Sequence, residues 1–176
     1  MKDRQLWKEI YEKHARRMFF ICRRYASNNE EAEDMMHDGF MQIFKSLHMF
    51  TDRGEGSLRA WMDKVMVNTC LQYLRKRDVL RESASMEYTG AATAHSEDTD
   101  DLEQATAAIP LDVLQRFISE LPAGYRTVFN LYVFEGLSHK EIAEQLGIKE
   151  RSSSSQYHRA KTSLAKQIRA YERKQR

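Results

Sequence analysis

Proline and glycine are scarce, 2 and 7 among 176 residues, too few for the many tight turns of a sandwich or barrel of short strands. A mostly helical protein is therefore expected. The 2 cysteines, Cys22 and Cys70, fall in apolar helical patterns without CxxC spacing, which argues against a disulfide framework and a zinc site and suits a reducing compartment. No window approaches the ~20 apolar residues that a helix needs to cross a bilayer, and the segment MKDRQLWKEIYEKHARR has no apolar signal core. A cytoplasmic chain outside the membrane is expected. Catalytic signatures are missing as well: Gly54-Glu55-Gly56 leads to no phosphate-loop lysine, and no HExxH or G-x-S-x-G occurs. Nothing calls for catalytic residues, a metal ion or a cofactor.

What is present is a 41% hydrophobic share, enough for a modest core, and a strongly uneven charge. The formal net charge is only +2. Residues 1 to 78 hold 15 Lys and Arg against 12 Asp and Glu, residues 79 to 110 hold 1 against 7, and residues 111 to 176 hold 12 against 7. Within the last block, residues 149 to 176 carry 9 basic and 2 acidic side chains. Such segregation points to a polyanionic partner more than the overall charge does, although a solvated basic helix satisfies it equally.

Apolar periodicity divides the chain. Trp7, Ile10, Tyr11, His14, Met18, Ile21, Cys22 and Tyr25 recur at helical steps over Leu6 to Tyr25. Ser27-Asn28-Asn29 ends that helix, and Asn28 followed by Glu31 has capping spacing for a second one carrying Met35, Met36, Phe40, Ile43, Phe44 and Leu47. The stretch Thr51 to Gly56 has loop chemistry, after which Ser57 is placed to cap a third helix with Leu58, Trp61, Met62, Val65, Leu71 and Leu74. Arg75, Lys76 and Arg77 give that helix a basic last turn, favourable at its C-terminus.

Residues 79 to 110 are acidic, small and nearly devoid of large apolar groups, the composition of a linker that cannot bury enough surface to offset its ordering entropy. Two small all-α domains, 1–78 and 111–176, joined by a flexible acidic linker follow from this. After Pro110 a short helix to Leu121 precedes another from Pro122-Ala123 toward Gly136. Ser138 and Glu141 then form an S-x-x-E box, Gly147 suits a left-handed C-terminal residue, and a last helix starts near Glu150 or Arg151. Two helices across a short glycine turn make a helix-turn-helix.

On the last helix, Ser153, Tyr157, Ala160 and Leu164 fall at inward steps. Arg151, Ser152, Ser154, Ser155, His158, Arg159 and Thr162 then face outward, with Gln156 toward the edge. Short hydroxyls allow close approach to base edges in the major groove, and Arg or Gln can reach acceptors there. A serine-rich frayed helix start is the plain alternative, which the capped turn and the basic tail weigh against.

Over nearly its whole length the chain resembles the bacterial extracytoplasmic-function (ECF) sigma factors. YEKHARRMFFICRRYASNNEEAEDMMHDGFMQIFKSL is similar to the part of sigma region two that docks on RNA polymerase. GSLRAWMDKVMVNTCLQYLRKR resembles the part that opens and reads the minus-ten element. LPAGYRTVFNLYVFEGLSHKEIAEQLGIKE with SSSSQYHRAKTSL resembles region four, which reads the minus-thirty-five element. The resemblance implies a specificity subunit with no enzymatic activity of its own, whose partners are core RNA polymerase, promoter DNA and an anti-sigma factor.

Residue by residue, it assigns Glu33, Asp34, His37, Asp38 and Phe40 to the surface for the largest polymerase subunit. The carboxylates also sit in the first turns of a helix, where the macrodipole favours them without a partner. His37-Asp38 replaces a Gln-Glu pair common in the family. The resemblance places Asn68 in a pocket for a base turned out of the stack, completed by the loop Thr51 to Ser57, with Arg75, Lys76 and Arg77 on phosphates. Trp61, near the face of Asn68, is an isolated aromatic on an apolar stripe and reads first as core. Arg151, Ser152, Ser154, Ser155, Gln156, His158 and Arg159 are the minus-thirty-five candidates. Arg151 and Ser152 replace a Gly and a Thr usual in the family, Ser153 an apolar residue and Ser154 a basic one. The acidic linker reads either as a nucleic-acid mimic or as a plain spacer. A stand-alone helix-turn-helix regulator with an N-terminal sensing or dimerisation bundle is the alternative, and it gives no reason for an Asn in an aromatic helix beside an Arg-Lys-Arg end.

Overall fold

The computed structural model describes residues 2–77 and 109–175, and every regular element among them is helical. The chain divides into two compact units, Met1–Asp78 and Val79–Arg176. The segment read as a linker lies outside the described residues, apart from Ile109 and Pro110.

The first unit packs three helices: α1 (Lys2–Tyr25), α2 (Asn29–Ser46), which runs into a 3-10 turn at Leu47–Met49, and α3 (Ser57–Lys76). The inward face of α1 is Ile10, Met18, Ile21, Cys22 and Tyr25, all buried. Trp7 and Tyr11, expected on that face, are each 43% exposed because they lie over the rim of α2, Trp7 stacked on Phe44 at 4.9 Å and Tyr11 tilted against Phe40 at 4.7 Å. Met35, Phe40 and Ile43 of α2 and Met62, Met66, Cys70, Leu71 and Leu74 of α3 are buried as well. Gly39 lets α2 and α3 approach: a Cβ there would overlap Sδ and Cε of the buried Met66. Arg17 and Asp63 close the outside of α1 and α3 with a two-pronged ion pair, Nε to Oδ1 at 2.9 Å and Nη2 to Oδ2 at 2.5 Å.

The helix starts follow the sequence with one correction. Asn28 caps α2 through Oδ1, which accepts from Glu31 N at 2.8 Å. Ser57, by contrast, is the first residue inside α3, and Gly56 holds the cap position at φ 81°. A left-handed backbone suits glycine there, and it turns the Ser57 hydroxyl back into the preceding loop.

Cys22 and Cys70 are fully buried, free, and face each other across α1 and α3, with Cys70 Sγ donating to Cys22 Sγ at 3.8 Å. That contact and burial push the Cys70 thiol well above the usual thiol range, and only the thiolate is an effective nucleophile. Neither cysteine should therefore react with iodoacetamide at pH 8 in the folded chain, and both should react in denaturant. Mass spectrometry reads the difference, and rapid native labelling of Cys70 would contradict the packing.

The second unit runs α4 (Leu111–Ser119), α5 (Ala123–Val133), α6 (His139–Leu146) and α7 (Glu150–Gln175). Prolines 110 and 122 occupy the caps of α4 and α5, where a missing N–H costs nothing. Phe117, Ile118, Leu121 and Phe129 bury against Ala160, Leu164 and Ile168 of α7. The box before α6 is closed from both sides: Ser138 Oγ accepts from Glu141 N, and Glu141 Oε2 accepts from Ser138 N at 2.8 Å. The bond from Ser138 N foremost, then one from Ser138 Oγ to the same Oε2 at 2.7 Å, holds the Glu141 carboxyl below the usual carboxylate range. Gly147 at φ 69° ends α6 and lets α7 begin at Glu150, which completes the helix-turn-helix.

Candidate nucleic-acid and protein interfaces

Three surfaces carry the residues singled out in the sequence. The first is the outer face of α2, where Glu33, Asp34, His37 and Asp38 are exposed. Phe40 is not part of it. Its side chain is 3% exposed and packs between Tyr11 and Phe44, so it supports the face from behind. The exposed apolar residue on this side is Met41, 46% accessible, one turn beyond His37. The sequence held that clue in the 33-37-41 spacing.

The second surface is on α3. Trp61, Val65, Asn68, Gln72 and Arg75 follow steps of four, three, four and three, which align on one face of a helix. Asn68, Gln72, Arg75 and Lys76 are exposed, while Trp61 and Val65 are half-buried. Asn68 faces outward although it follows the apolar run Val65-Met66-Val67. Trp61 packs one side against Phe50 at 5.5 Å and leaves the other part accessible. Beside it, Asp52 organises the loop: Oδ1 accepts from Gly54 N at 2.9 Å and from Ser57 Oγ at 2.8 Å. The Gly54 bond foremost, then Ser57, keeps the Asp52 carboxyl below its usual range. Arg77 stands apart from Arg75 and Lys76. Its Nη1 is 2.6 Å from Oε1 of the buried Glu31.

The third surface is the start of α7. Arg151 and Ser154 are exposed, and Ser152, Ser155, His158 and Arg159 are half-buried. Gln156, expected at the edge of the outward face, is instead 4% exposed. It lies one turn from the buried Ser153 and Ala160, so the inward stripe is wider than the apolar residues alone suggested. Ser153 is satisfied inside, its Oγ sharing a hydrogen bond with His139 Nδ1 at 3.0 Å. His139 in turn stacks on Tyr132 at 4.7 Å and leans on Tyr157 at 5.6 Å. This polar and aromatic cluster fixes α7 against α6 and explains a serine where an apolar residue is usual. Sequence reasoning missed it because the His and the Ser are 14 residues apart. Arg159 Nη1 donates to Tyr125 OH at 3.2 Å, which restricts where its guanidinium can point.

Burial lowers the pKa of His139 from 6.5, partly offset by Glu150. A proton on His139 is thus disfavoured in the folded unit, so its stabilising contribution is present above pH ~6.5 and is lost as pH falls through the lowered folded value. His14 in the first unit is lowered too, by burial and then Lys13, and acts in the same direction on its own unit. Urea midpoints should fall between pH 7.5 and 5.5, and His139→Gln should flatten the part belonging to the second unit. An unaltered pH profile in that variant would remove His139 from the account.

Among the described residues no cluster of His, Cys, Asp and Glu is arranged to hold a metal ion, and no helix is long and apolar enough to cross a membrane. A capped helix-turn-helix with a basic final helix, preceded by a separate three-helix bundle, defines an all-helical protein of two units. Comparison with known proteins makes this specific. The model of sigma-70 region 2 matches residues 10–79, and that of sigma-70 region 4 matches residues 111–164. The chain is 27% identical over 158 residues to the ECF RNA polymerase sigma factor SigE of Mycolicibacterium smegmatis, covering 90% of this chain and 60% of that protein's length. It is also 27% identical over 173 residues to the ECF RNA polymerase sigma factor SigW of Bacillus subtilis, covering 95% and 91%. The fold matches the sigma factor RpoE of Bartonella quintana, solved in complex with the anti-sigma factor NepR, at TM-score 0.52 and 19% identity, over 92% of this chain and 96% of that one. The chain belongs to the ECF sigma factors, with regions two and four in the order of the family.

Proposed function

We propose that this chain binds core RNA polymerase in the bacterial cytoplasm, directs it to specific promoters and assists strand opening. The observation that carries the reading is the succession of region two and region four along one chain, each holding an exposed polar face suited to its part. On region two, Glu33, Asp34, His37 and Asp38 form the polymerase-facing surface, joined by Met41. The α3 face from Trp61 to Lys76 receives the minus-ten strand. On region four, Arg151, Ser152, Ser154, Ser155, His158 and Arg159 meet the minus-thirty-five element.

The work of opening comes from binding. Unstacking a base costs a few kcal/mol, and stacking on an aromatic recovers about 1–3 kcal/mol per captured base, as does a bidentate amide contact. The organised Asp52 loop at the start of α3 and the Asn68 face supply such contacts, and Arg75 and Lys76 at the far end of the helix offer charge for phosphates, so no nucleotide hydrolysis by the chain is required. An anti-sigma protein is the expected restraint, in keeping with the NepR complex of the Bartonella relative.

Run-off transcription with core polymerase on fragmented genomic DNA tests the reading. Transcripts that start at discrete sites only when the chain is added support it. Site-specific DNA binding without any initiation would instead describe a stand-alone regulator.

A further inference from the structure

Glu31 is a carboxylate in an unusual place, 6% exposed at the N-terminus of α2. Burial of a charge demands partners, and Glu31 has two. Oε2 accepts from Ser27 N at 2.5 Å, and Oε1 meets Arg77 Nη1 at 2.6 Å. Arg77 is the C-terminal cap of α3: its own N–H reaches back to Tyr73 O at 3.3 Å, and its guanidinium lies 5.8 Å from the Tyr73 ring centre. The bond therefore joins the first turn of α2 to the last turn of α3, 46 residues apart.

We infer that Glu31 and Arg77 are a positioning pair: they clamp the basic end of α3 onto α2, aim Arg75 and Lys76 outward, and leave Arg77 without a phosphate role. The inference rests on the minus-ten reading of α3 but is separable from it. The argument is one of charge and geometry. Arg77 is exposed like Arg75 and Lys76, but moving its guanidinium to a phosphate would abandon a carboxylate that is nine-tenths buried. Each charge also sits at the helix end that favours it, Glu31 in the first turn of α2 and Arg77 at the C-terminus of α3.

Two measurements decide it. Chemical denaturation of the full-length chain with Glu31→Gln, Arg77→Met and the double variant should show each single change lowering the midpoint of the first unit, with the double no worse than Arg77→Met alone. This arm is independent of function. In the second arm, holoenzyme made with each variant binds a 30-nucleotide mixed-sequence single strand across a salt series. Each phosphate contact contributes ~0.7 to the slope of log affinity against log salt. Arg75→Met and Lys76→Met should each reduce the slope by about that amount, and Arg77→Met should leave it unchanged while weakening affinity. Additive midpoints, or a slope reduced by Arg77→Met as much as by Arg75→Met, would overturn the pair. Failure of the parent chain to form a holoenzyme would overturn the sigma reading instead, and the midpoints alone would then decide the clamp.

Discussion

Arg126→Leu should unfold the second helical unit under conditions where the parent chain is intact. Arg126 is 2% exposed, and its Nη1 donates to Ser119 O at 2.5 Å and Leu121 O at 3.4 Å. These carbonyls belong to the end of α4 and the turn after it, where the helix leaves acceptors unpaired and carries its negative pole. The arginine thus caps one helix from inside the next. Leucine fills part of the space but offers no donor, so the carbonyls stay desolvated without compensation. The expected loss is about 3 kcal/mol, a large share of the 5–15 kcal/mol that a domain typically has. Arg126→Lys keeps a charged donor and should recover part of it. Because the core of this unit sits directly on α7, minus-thirty-five binding should disappear with the fold. Denaturation monitored by circular dichroism checks the first statement, and a Leu variant as stable as the parent would refute it.

Asn68→Ala should impair promoter opening by about five- to a hundred-and-fiftyfold, the range given by one lost amide–base contact of about 1–3 kcal/mol. Asn68 is exposed on α3 between Val65 and Gln72, so its removal creates no cavity and the unit should stay folded. Assembly with core polymerase, which this reading places on α2, should be unaltered. Permanganate footprinting of thymines in the bubble measures the effect. Equal reactivity in variant and parent would remove the amide from the melting step, and a loss of core binding would mean that α3 serves the polymerase as well.

Much of this was legible in the residues themselves. Asn28 with Glu31, Ser138 with Glu141, and Gly147 mark helix ends by local hydrogen bonding, which needs only neighbours in the chain. Periodicity separated inward from outward residues at Ile21, Cys22, Met62, Leu164 and the outward Glu33, Asp34 and Arg151, but not at Trp7 and Tyr11. It failed where burial is polar or rests on a partner from elsewhere. Gln156 was placed at an edge because an amide looks outward, and Phe40 on a docking surface because the family puts it there. Each was decided by what lies across from it.

The sequence by itself determined that the chain is helical, that it has two units with opposite charge character between and beyond them, and that its order is region two then region four. Helix period, capping and charge are properties of short stretches and survive without coordinates. The tertiary structure alone decided that Arg77 answers Glu31, that Ser153 answers His139, that Arg126 caps α4, and that Phe40 and Gln156 face inward. Those outcomes depend on groups 5 to 46 residues apart meeting at hydrogen-bonding or packing distance, and no local pattern records which distant partner will arrive.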